Sequence, residues 1–254
     1  YRSKQNSVVG NDQDGFRYAR ARFTSTGGGQ IGSLYIGSYF EAELQPTFSL
    51  YDAYVSFAHN LPEHGLLDLD VGQQRVPISR QQLISDTRRA FVDAGLVQSI
   101  APDRDLGAKL TINPPFLHWV RIIGGAFNGE GRNQVQNINE HYLWAGRIEV
   151  TPIGGVQPYE ESAVICNWLS GAADVGRNIL TPGIYEEKQL SIGYDISGCW
   201  NARIAGRWIG NISGSFEYLQ VNHYYLGSPS AVPGVNYHAN GFTAQLSYML
   251  PVKI

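Results

Sequence analysis

Gly72–Leu110, GQQRVPISRQQLISDTRRAFVDAGLVQSIAPDRDLGAKL, is a long arginine-bearing connection between two segments that alternate apolar and polar residues. Before it, Leu67, Leu69 and Val71 alternate with Asp68, Asp70 and Gly72; after it, Leu106, Ala108, Leu110 and Ile112 alternate with Gly107, Lys109 and Thr111. Period-two alternation predicts a strand on each side, so the two segments form a hairpin with an insert over residues 74–104. Strand connections usually run to about two to six residues, which marks a structured insert of this length as functional. Within it, Pro77 followed by Ser79 and Gln82 reads as a helix start, the serine oxygen accepting from a helical amide while the glutamine reaches back. Leu83, Thr87 and Phe91, with Ile84 beside them, give that helix a packing side, and Arg80, Arg88 and Arg89 lie largely elsewhere.

Outward from the insert the same period recurs. Strands are expected at 16–24, 34–42, 51–57 and 67–72, then at 106–112, 119–127, 142–150 and 162–168, and finally at 190–196, 200–208, 213–221 and 242–250. These are about twelve strands, many of them of about nine to eleven residues, the length that crosses a bilayer at a tilt. Phe23, Phe40, Phe57, Trp144, Trp200, Trp208 and Phe242 sit near strand ends on the apolar side, as interfacial girdles do. A soluble β-sandwich would alternate too. The polar face here, however, is rich in Arg and acids and poor in Lys, which suits a packed, charged lumen better than a surface facing bulk water.

Composition narrows the class further. The 254 residues suffice for one large all-β domain, and 29 Gly, 15 Tyr and 10 Phe with a single Met suit many strands joined by turns. A net charge of -3 gives no basic footprint, so nucleic acid is not an expected partner. The longest apolar runs fall far short of the roughly 20 residues of a spanning helix, so a membrane location implies a barrel. The chain starts at Tyr1 without an apolar leader and reads as a processed form. Cys166 and Cys199 are too few for a disulfide framework, and both a bridge and two half-buried thiols fit the sequence. The six histidines are scattered without a catalytic serine or acid at a fixed spacing. His59 and His64 read as loop residues rather than metal ligands, so no enzyme activity, metal or cofactor is expected.

Several segments, in order, carry a resemblance: FRYARARF, LYDAYVSF, LLDLDVGQQRVPIS followed by SRQQLISDTRRAFVD, DRDLGAKL, GGAFNGEGRN, WAGRIEVTP and GFTAQLSYMLP. Together they cover most of the chain from Gly15 to Pro251, and the chain resembles the phosphate-selective porin O and P family of bacterial outer membranes. The resemblance implies a trimeric transmembrane antiparallel β-barrel of about sixteen strands with an inward-folded constriction loop. It also implies passive diffusion of small hydrophilic solutes, with anions such as phosphate preferred. Pro251, Val252, Lys253 and Ile254 follow the last strand where such barrels carry a terminal aromatic, so further strands are expected in the complete protein. The phosphate-binding lysine and serine pattern of the family's most selective members has no counterpart in the insert.

With the apolar face toward lipid, the wall of the lumen collects Arg20, Arg22, Lys109, Arg121, Arg147, Arg203 and Arg207. Glu41, Glu43, Asp52, Asp68, Asp70, Glu149, Asp195 and Glu217 nearly balance them, which leaves ion selectivity to the constriction. There Arg75, Arg80, Arg88, Arg89 and Arg104 are the candidate anion guides, because guanidinium groups hold oxyanions through paired donors. Local pairing of Arg104 with Asp103 or Asp105, and bracing of the insert by Arg88 and Arg89 against Asp68 and Asp70, is the structural alternative. A barrel serving as a scaffold for other envelope proteins is the alternative function.

Overall fold

Successive residues of a strand point to opposite faces, and in the computed structural model the apolar set is the one turned outward. On a single strand Ile148 is 54% exposed while its neighbours Arg147 and Glu149 are 1% exposed. Phe242 is 68% exposed, and Val55, Leu69, Ile192 and Phe216 follow the same rule. Residues 21–44, 47–62, 65–85, 88–89, 95, 97–156, 159, 166–180, 187–225 and 236–250 are described.

Among the described residues, eleven strands form one antiparallel sheet in chain order. They are β1 (Arg22–Ile31), β2 (Leu34–Glu43), β3 (Ser49–Asn60), β4 (Leu66–Arg75), β5 (Arg104–Asn113), β6 (Val120–Phe127), β7 (Leu143–Ile153), β8 (Trp168–Leu180), β9 (Glu187–Ile204), β10 (Arg207–Tyr225) and β11 (Tyr237–Met249). Every strand pairs with its sequence neighbour, and among the described residues β1 and β11 are not paired with each other. Among its described residues the insert holds two single-turn helices, α1 (Arg80–Leu83) and α2 (Val97–Ile100).

Three expectations change. The predicted strands over 190–196 and 200–208 are one strand as far as Ile204, because Leu190, Ile192, Tyr194, Ile196, Trp200, Ala202 and Ile204 share one parity across Gly198. The chain then reverses at Ala205–Gly206, and Trp208 belongs to the next strand. The eighth strand starts at Trp168, where it was predicted to end, and runs to Leu180; residues 162–165 lie outside the described residues. Ala172, Ala173 and Gly176 gave it too little apolar contrast to be seen. The helix expected from Ser79 onward is a single turn ending at Leu83, and Thr87 and Phe91 lie outside the described residues.

The first strand is described from Arg22 and continues through Gly27–Gly29, which pair with Ser38, Gly37 and Ile36. Arg20 lies outside the described residues. β2 and β3 slip register between Glu41 and Ala42, which leaves Tyr51 as an extra residue. A bulge of this kind re-aims a side chain. Tyr51, which has the parity of Ala53 and Val55, thereby carries its ring to the arginines of the inner face.

The apolar core sits inside the curve of the sheet, under the insert. Val76, Ile78 and Val97 pack with Phe127, Leu143, Ala145, Leu219 and Val221. Each fully buried aliphatic side chain of that group favours the docked insert by about 1.5–3 kcal/mol.

Candidate functional site in the curve of the sheet

Ser79 opens α1 as expected, its Oγ accepting from Gln82 N at 3.3 Å. The same turn fastens the insert to the far wall. Ser79 N donates to Asp174 Oδ2 of β8 at 3.2 Å, and Gln81 N donates to Glu217 Oε2 of β10 at 3.0 Å. These buried carboxylates satisfy amides that a one-turn helix leaves without partners. Ile78 lies against Gly176 so closely that a Cβ there would collide with its Cδ1. Further along, Gly95 lies against Thr243, and Val97 and Ile100 lie over Gly241, so the insert reaches from β4 to β11.

The five insert arginines have different positions. Arg104 Nε donates to Asp52 at 3.0 Å and its Nη1 to Asp103 at 2.9 Å. Arg75 donates to the Leu83 carbonyl at 2.8 Å, and Arg89 to that of Gln81 at 3.0 Å. Arg80 is buried, its guanidinium 5.8 Å from the Tyr159 ring and 5.7 Å from that of Trp168. Arg88 alone among them is exposed, and its side chain has no ion-pair partner among the described residues.

Wall residues follow a similar division. Arg22 meets Glu41 at 3.0 Å and Glu43 at 2.8 Å, Lys109 meets Asp70 at 3.2 Å, and Arg121 meets Glu149 at 3.6 Å. Arg147 is fully buried between Asp174 at 2.8 Å and Asp195 at 2.6 Å, with Glu149 at 4.0 Å. The near balance of wall charge is therefore built from specific pairs. Arg203 and Arg207 stand exposed beside the β9–β10 turn and do not line the cavity described next.

Beside the insert lies a cavity of about 710 Å³. Its lining draws on β1 through β6, on the insert and on Tyr159, which shows how far the sheet curls. Five basic side chains, Arg22, Arg75, Arg88, Lys109 and Arg121, face it with three carboxylates, Glu41, Asp52 and Asp70. Tyr39 and Tyr54 stack on its wall with ring centroids 5.4 Å apart. Burial, only partly offset by the Arg147 guanidinium, pushes the Tyr159 phenol above its ordinary value, so at neutral pH it donates to Glu149 Oε2 at 2.8 Å.

Sequence reading missed Asp174, Arg132 and the tyrosines. Asp174 sits in the strand whose alternation was too weak to see. Arg22, Arg104 and Arg132 lie 4.2, 4.4 and 4.2 Å from the Tyr51 ring, an arrangement that depends on the bulge and on the β6–β7 connection folding back. Cation–π contacts of this kind add about 0.5–2 kcal/mol each and hold the guanidinium planes in place. Cys166 and Cys199 form a disulfide that joins the start of β8 to β9.

No protein-family model, curated protein or solved structure matches the chain.

Proposed function

We propose that the chain forms the wall of a bacterial outer-membrane pore through which small hydrophilic solutes diffuse, anions in preference to cations. The carrying observation is the inverted burial: apolar side chains ring the outside while Arg147, Glu149, Asp174, Asp195 and Glu217 are shut inside. Water favours the opposite arrangement, whereas hydrocarbon around the sheet favours this one. In hydrocarbon the free edges of β1 and β11 must also pair, so the complete wall closes. In keeping with the family resemblance, it closes at about sixteen strands and assembles as a trimer. No helix of the described residues is long and apolar enough to cross a membrane.

Solutes pass through the cavity beside the insert. Its surplus of basic over acidic side chains supports the anion preference, and Arg88 is the guanidinium placed to meet an ion there. Arg104, Arg89 and Arg147 hold structure instead. The test is conductance of the purified protein in a planar bilayer, with the reversal potential read in unequal KCl. Discrete steps and an anion-side potential are expected. Absence of steps would favour the scaffold reading, in which the apolar packing of the insert plugs the lumen.

A further inference from the structure

The cavity beside the insert holds more than an ion path requires. Resting on the pore reading, we propose that it is a binding site for a small organic monoanion with a planar ring, the class of the aromatic carboxylates. A volume of about 710 Å³ lies within the range of small-molecule pockets and exceeds the needs of a bare inorganic oxyanion.

Charge sets the valence. Glu41 holds Arg22, Asp70 holds Lys109, Glu149 holds Arg121, and Arg75 is engaged with the Leu83 carbonyl. Arg88 presents its guanidinium to the same space with no ion-pair partner among the described residues. One carboxylate matches that fork through paired donors. A second negative charge on the solute would meet Glu41, Asp52 and Asp70 in the same lining.

The ring preference comes from two tyrosines of the same lining. Tyr39 and Tyr54 stack at 5.4 Å with planes 20° apart, and both line the cavity. A third ring extends such a stack through offset contact, which adds to the area it buries. An aliphatic carboxylate satisfies Arg88 but not the tyrosines, and phosphate brings a charge the carboxylates oppose.

The experiment measures block of the KCl current through the full chain in a planar bilayer by benzoate, acetate and inorganic phosphate. Benzoate is expected to block at the lowest concentration, and Arg88→Gln to raise its half-blocking concentration by about tenfold, the effect of losing one charge-assisted pair. Tyr54→Leu should weaken block by benzoate and leave that by acetate unchanged. Equal block by acetate or phosphate, or benzoate block indifferent to Arg88→Gln, overturns the site. Saturation-transfer NMR of benzoate on the detergent-solubilised protein reads the site without conduction. Binding there that Arg88→Gln weakens, in a protein that shows no current, overturns the pore reading alone; no binding overturns the site.

Discussion

Arg147 on β7 reaches past β8 to Asp195 on β9, Nη2 to Oδ2 at 2.6 Å, with both side chains shut from solvent. Its other amine holds Asp174 on the intervening strand, so one guanidinium ties three adjacent strands together from inside. Asp174 in turn receives the insert through Ser79 N. The sheet and the insert therefore share one buried ionic knot.

Replacing Arg147 by Leu leaves those carboxylates without their cation. Breaking a buried pair this way costs about 3–5 kcal/mol, and the folded fraction in a urea titration should fall accordingly. The double variant Arg147→Leu with Asp195→Leu should recover part of the loss, and strict additivity of the two single changes would contradict the coupling.

The close approach of Ile78 to Gly176 gives a conductance prediction. Gly176→Val drives a side chain into the site where the insert docks and should raise single-channel conductance by lifting the insert from the wall. Gly171→Val, on the same strand and in ordinary contact at 3.8 Å, should leave it unchanged.

Arg88 and Arg104 should separate selectivity from stability. Arg88→Ala is expected to move the reversal potential toward cations with unfolding unaltered, since its side chain holds nothing in place among the described residues. Arg104→Ala removes the partner of Asp52 and should lower the urea midpoint by an amount equivalent to about 1.5–3 kcal/mol. A reversal potential unmoved by Arg88→Ala would contradict the assignment.

The Cys166–Cys199 bridge closes a loop over a sequence separation of 33. Replacing both cysteines by serine should lower stability by about 2–4 kcal/mol, read as an earlier urea midpoint. Two thiol-reactive cysteines in the unfolded, unreduced protein would show the bridge to be absent.

Alternation by itself determined most of the strand architecture, which residues share a face and the place of the long insert between β4 and β5; that the apolar face is the exposed one was decided by the tertiary structure. That information is local: a period of two fixes which residues share a face, and Ile148 against Arg147 and Glu149 shows it within three residues. It misread the Gly198 crossing and the start at Trp168, where glycine and alanine blur the contrast. The Ser79 cap was legible, but not the length of the helix it begins, since α1 is held by Asp174 and Glu217 from strands far along the chain. Only the tertiary structure decided which of the insert arginines are paired or packed among the described residues. Pairing distances between β3 and β5, or β7 and β9, depend on register, curl and the Tyr51 bulge, none of which is encoded within a single strand. Five similar arginines in one insert therefore divide into four that are held in place and one, Arg88, that faces open space.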